Sequence, residues 1–185
     1  TGRPQALLRR LLVRDHLGVS TAVAPHRLLL PASAAVPLVI KLSDSRHRPP
    51  AFLHGAHDGY ALMEGDCARS YLEVWMAPLG AYRLLGRPVS ELAGGVVDVE
   101  DVFGQDGRRL VEAIRDQPVW RRRFAVLDAF LLRAAARGPR PAPEVARVWQ
   151  RIVGSGGLAP IGRLAGEVGW SHKHLISRFA QQVGL

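Results

Sequence analysis

The chain has a single cysteine, Cys67, so no internal disulfide framework holds it together. That suits a reducing compartment, and a cytoplasmic protein is expected. No apolar run approaches the roughly 20 residues that a membrane helix needs, so a membrane is left out of the expected partners. The glycine-rich pieces Gly94-Gly95 and Gly154–Gly157 lack the Lys-Ser/Thr of a phosphate loop and read as helix stops. No motif sets a histidine beside Cys67, and no oxyanion-hole loop is visible, so no catalytic residue is assigned and no enzyme is expected. Lysine is nearly absent: of 25 basic residues only Lys41 and Lys173 are not arginine. Genomic base composition produces the same bias, so it carries no functional weight.

Histidines are present but poorly spaced for a metal. His47, His54 and His57 lie close together, with Asp58 and Glu64 nearby. His54-Gly-Ala-His57 is not a His-x-His pair, and residues three apart on a strand point to opposite faces. Turn or core histidines are expected, and no metal or other cofactor is assigned.

What the 185 residues do contain is apolar content of 48 % and a net charge of +9. The first supports a packed core. The charge is uneven. Residues 41–100 carry six basic and eight acidic residues, whereas residues 140–185 carry six basic and two acidic. A basic C-terminal part fits attraction to a polyanion.

Read in order, Leu7, Leu8, Leu11 and Leu12 predict a short amphipathic helix within Arg3–Gly18, followed by a strand over Val13–Val19. Strands are then predicted at Arg27–Pro31, Val36–Leu42, Ala51–Gly55, Tyr60–Glu64 and Ser70–Met76, separated by turn-formers. In the last of these, Tyr71, Glu73 and Trp75 alternate with Leu72, Val74 and Met76. Helices are predicted at Pro78–Leu85, Val89–Gly94, Asp106–Arg115, Val119–Ala136 and Pro143–Val153. Val96–Val102 reads equally as a strand or as a loop with a helical turn. The Arg121-Arg122-Arg123 run reads as a solvated face. The apolar surface of Val119–Ala136 either serves a dimer interface or covers the sheet.

The last segment is the most informative. Ile161, Leu164, Ala165 and Val168 recur at helical spacing. Pro160 suits the first turn, and Gly169 suits a left-handed stop. Ser171 is a good N-cap for a second helix carrying Leu175 and Phe179 inward. A rotation of about 100° per residue then puts Lys173, Ile176, Ser177 and Ala180 outward, with His172, His174 and Arg178 on the flanks. Two short helices joined in this way predict a helix-turn-helix whose second helix lies in a DNA major groove. A helical hairpin in a core is the plainer alternative.

The spacing of Leu164-Ala165, Val168-Gly169-Trp170-Ser171, His174-Leu175, Arg178-Phe179 and Val183-Gly184 resembles the first helix-turn-helix of AraC/XylS-type transcriptional regulators. The runs HRLLLP at His26–Pro31, PLGAYRLLG at Pro78–Gly86 and RFAVLDAFLL at Arg123–Leu132 look similar to the N-terminal domain of one subgroup of that family. That domain is a small cupin-like β-fold. Members carry a second helix-turn-helix after a linking helix, so a chain ending at Leu185 resembles one cut through its DNA-binding domain.

The expected fold is therefore α+β: an N-terminal antiparallel β sandwich or small barrel, cupin-like by resemblance, then a helical linker and a C-terminal helix-turn-helix. The expected domains are residues 1–100, 101–138 and 139–185, the last two separated at Gly138–Pro141. The expected function is sequence-specific regulation of transcription through double-stranded DNA, in a homodimer with a small-molecule effector. Lys173, Ile176 and Ser177 would face bases, and Ser171, His172, His174 and Arg178 would cap the helix or meet phosphates. Tyr60, Tyr71, Trp75 and Tyr82 would line an effector pocket, or else belong to the core. The alternative is a cupin-like small-molecule or metal binder, conceivably enzymatic.

Overall fold

The computed structural model describes residues 1–20, 27–43, 49–64 and 70–185, with only the backbone described at 27, 28, 63 and 64. The fold is α+β, with antiparallel sheets first and mainly helices after them. One sheet has five strands in the order β1 (Leu17–Ser20), β6 (Ser70–Met76), β3 (Val36–Lys41), β4 (Ala51–His54) and β7 (Val96–Asp98). A separate ribbon pairs β2 (Arg27–Leu30) with β5 (Ala61–Glu64). No closed barrel forms among the described residues: β1 and β7 end the five-stranded order, and the ribbon is hydrogen-bonded apart from it.

Strand β6 shows how the sequence sets the sheet. Leu72, Val74 and Met76 are buried while Tyr71, Glu73 and Trp75 are half-buried, which is the period of two of a pleated strand. Its neighbour β3 pairs Leu38 with Val74 and Ile40 with Leu72, so their apolar residues share a face. That face is covered by α1 (Pro78–Leu85), α3 (Gln105–Arg115) and α4 (Trp120–Arg137). Leu84, Ile114, Leu127 and Leu131 are each at most 2 % exposed and complete one core. Each such side chain contributes about 1.5–3 kcal/mol by leaving water. The inward stripe of α4 is thus used in covering the sheet, and Arg121 and Arg122 stand in solvent.

The N-terminal stretch differs most from the sequence expectation, and the first strand is Leu17–Ser20 rather than Val13–Val19. Residues 6–11 form turns rather than an amphipathic helix. Leu8 N–H and Leu11 N–H donate to carbonyls three residues back, while Leu12 bridges to Met76 and Val13 N–H donates to the Trp75 carbonyl. Pairing with the C-terminal end of β6 wins over helix formation there. Over Val96–Val102 both readings hold in succession: β7 ends at Asp98, whose carboxylate accepts the Glu100 N–H at 2.8 Å and caps α2 (Val99–Phe103). Val89–Leu92 is a 3₁₀ helix following Pro88.

The C-terminal helices are α5 (Pro143–Gly154), α6 (Ile161–Glu167) and α7 (His172–Val183). They enclose a second, smaller core of Val148, Leu164, Ala165 and Leu175. No helix among the described residues is long and apolar enough to cross a membrane.

Candidate nucleic-acid interface

The α6–α7 pair is built from local chemistry. Pro160 precedes the first helical residue of α6 as its N-cap rather than lying inside it. The helix stops at Val168, and Gly169 takes φ +69°. Only a residue without a Cβ adopts that conformation freely. The chain then reverses, with Trp170 N–H donating to the Ala165 carbonyl at 3.0 Å. Ser171 has extended φ and ψ, and its Oγ accepts the His174 N–H at 3.2 Å, which satisfies one open donor of α7.

Behind the pair, Leu164, Ala165 and Leu175 are buried, and Trp170 and Phe179 pack against them. Phe179 also tilts against Trp149 of α5 at 6.1 Å between ring centres. The small Ala165 permits the close approach. These are the bracing residues expected from the sequence.

In front, His172, Lys173, His174, Ile176 and Ser177 are all exposed. Among the described residues Lys173 has no ion-pair partner. Arg163 and Arg151 are both turned toward Glu167, at 3.3 and 3.4 Å, so their charges are partly answered. The His174 ring stands edge-on to Trp170 at 4.6 Å. Arg178 differs from its neighbours: it is half-buried and its Nη1 donates to Gln181 Oε1 at 2.7 Å. Ile176, 52 % exposed, borders an apolar cleft of about 150 Å³ with Ile161, Ile152 and Phe179. The outward face of α7 is therefore basic and hydroxylic at its start and apolar along one edge.

The four aromatic residues proposed for an effector pocket do not converge. Tyr71 and Trp75 share the outer face of β6 with Glu73 between them. Tyr82 lies on α1 and packs against the core on the sheet's other face. Tyr60 precedes β5 and is 77 % exposed. The polar partner missed by sequence reasoning is Arg14, which stacks 4.4 Å over the Trp75 ring and reaches Glu73 Oε2 at 3.3 Å. Burial pushes the Glu73 carboxyl above its usual range, and the Arg14 guanidinium offsets part of that rise. Burial also raises the Tyr71 phenol, with the Glu73 carboxylate adding to it.

The rings of His54 and His57 meet edge-to-face at 5.2 Å. Each has a nitrogen against a backbone carbonyl, Gly55 for His54 at 2.8 Å and Pro31 for His57 at 3.0 Å. No group of three or more metal-ligating side chains occurs among the described residues. His47 and Cys67 lie outside those residues, and nothing is described of the Glu64 side chain.

Sequence reasoning also passed over His16 and Asp128, a buried pair at 2.7 Å. The one available signal was an acidic residue amid the apolar stripe of α4. In comparisons with protein-family models, curated proteins and solved structures, nothing matches this chain.

Proposed function

We propose that this chain is a sequence-specific DNA-binding regulator of transcription, in which α7 lies in the major groove and the N-terminal β-rich part responds to a small-molecule effector. The observation that carries the reading is the combination at α7: a Ser171-capped helix, braced on one side by Leu164, Ala165 and Leu175, exposing Lys173, Ile176 and Ser177 on the other. A helix so braced presents its first turns to base edges while phosphates hold the flanks. Lys173 and Ser177 contact base edges, Ile176 meets an apolar group such as a thymine methyl, and His172 and His174 lie toward phosphates. Arg178 acts through Gln181 unless DNA draws it away. The AraC/XylS-like spacing of these residues supports the same assignment. The cupin-like character of the N-terminal part and the homodimer rest on that resemblance.

The test is fluorescence anisotropy with a random-sequence duplex over a salt series, for the chain and for Lys173→Ala. Affinity should fall steeply with salt, and Lys173→Ala should weaken binding. Absence of binding at low salt, or affinity that Lys173→Ala leaves unchanged, would overturn the reading.

A further inference from the structure

The far end of α7 is not part of the α5–α6–α7 core. Gln182 and Val183 are 1 % and 0 % exposed, and neither belongs to the cluster around Leu164 and Leu175. The end of the helix instead packs on α1 and on the 3₁₀ helix Val89–Leu92. Gly184 closes it at φ +89°, and a Cβ placed there would lie 2.7 Å from Val89 Cγ1. Val89 thus sits directly on the helix terminus. Gln182 Oε1 accepts the Ala142 N–H at 2.9 Å, which ties the start of α5 to the same place.

Helix α1 connects this seat to the sheet. It begins after a single residue, Ala77, beyond the last residue of β6. Ala77 N–H donates to the Leu11 carbonyl at 2.9 Å, and Arg83 Nε donates to the Ala135 carbonyl of α4 at 2.9 Å. One short helix therefore touches the N-terminal arm, β6, α4 and the end of α7. The opposite face of β6 carries Tyr71, Glu73 and Trp75.

We infer that the seat formed by Val89 and α1 positions the reading helix, so that the sheet sets the orientation of α7 through α1. Lys173 and Val183 are ten residues apart, about 15 Å along a helix axis. A small tilt at the seated end becomes a displacement of the exposed end. Val89, Gln182 and Val183 are positioning residues, since none of them faces the proposed DNA surface. The inference rests on the DNA-binding reading and names the regulation of that site.

The test compares Val89→Ala with Val99→Ala, the same truncation at a buried position of α2, both in the full chain at a temperature where all variants are folded. Val89→Ala should weaken duplex binding by about three- to tenfold with an unchanged salt slope, because no phosphate contact is lost. Amide exchange over His172–Phe179 should quicken in the same variant and not in Val99→Ala. Wild-type affinity and wild-type exchange in Val89→Ala would overturn the inference, as would equal effects from Val99→Ala. If the wild-type chain binds no duplex, the DNA reading fails by itself. The exchange comparison then still decides whether the seat controls α7.

Discussion

The imidazole of His16 and the carboxylate of Asp128 meet at 2.7 Å inside the molecule, across 112 residues of sequence. The second oxygen of Asp128 accepts the Gln5 N–H at 3.0 Å. One carboxylate on α4 therefore holds the N-terminal arm at two points. The His16 ring is fully buried and stacks on Phe124, which stacks in turn on Trp120.

Asp128→Ala removes the partner of a buried imidazole and of a backbone donor at once. Leaving a buried hydrogen-bonding group without its partner costs about 1–3 kcal/mol. Urea unfolding should show that loss, and a distinctly smaller one for Asp128→Asn, which keeps a carbonyl acceptor in place. Equal losses for the two variants would mean that packing, not the polar pair, anchors the arm.

The Glu73 carboxyl gives the sheet a pH dependence of definite sign. Its folded value is raised by burial, so the native state holds a proton over a range where the unfolded chain has lost it. Stability from this group is present at low pH and falls as pH rises from the ordinary carboxylate value through the raised one. Glu73→Gln removes that contribution. The difference in melting temperature between wild type and Glu73→Gln should therefore change across this window, wild type losing ground as pH rises. A difference that is constant with pH would contradict the assignment.

Ser171 separates stability from recognition. Ser171→Ala deletes the cap on the His174 N–H and should cost about 1 kcal/mol in urea unfolding. Ser171→Asp keeps an acceptor there, so stability should be near wild type. The added negative charge would stand on the proposed DNA face, and duplex binding measured by anisotropy should weaken. An Asp variant that binds as well as wild type would place the nucleic acid elsewhere.

Local chemistry made much of this architecture legible before any coordinates. Strand β6 and helix α1 run over the residues that alternation and Pro78 indicate. The Ser171 cap and the left-handed Gly169 follow from side-chain and backbone preferences acting over three or four residues. Where local signals competed with tertiary pairing, the sequence misled. The leucines of residues 7–12 suit a helix, yet the backbone forms turns that lead Leu12 into pairing with the C-terminal end of β6. Long-range partners were invisible: nothing near Asp128 points to His16, and nothing near Gly184 points to Val89. The hydrogen bond of Arg178 to Gln181 was likewise invisible, because it depends on rotamers, which a helical wheel does not resolve.

The seat of the end of α7 against Val89 also governs how the chain can be divided. Gly138–Pro141 looks like a natural place to cut it into an N-terminal and a C-terminal piece. Cutting there would strip the cover from Val89 on one piece and from the end of α7 on the other, and turn an intramolecular contact into two newly exposed surfaces. Each fragment would then carry a sticky scar that the intact polypeptide lacks, and self-association of either piece would be an artefact of the division.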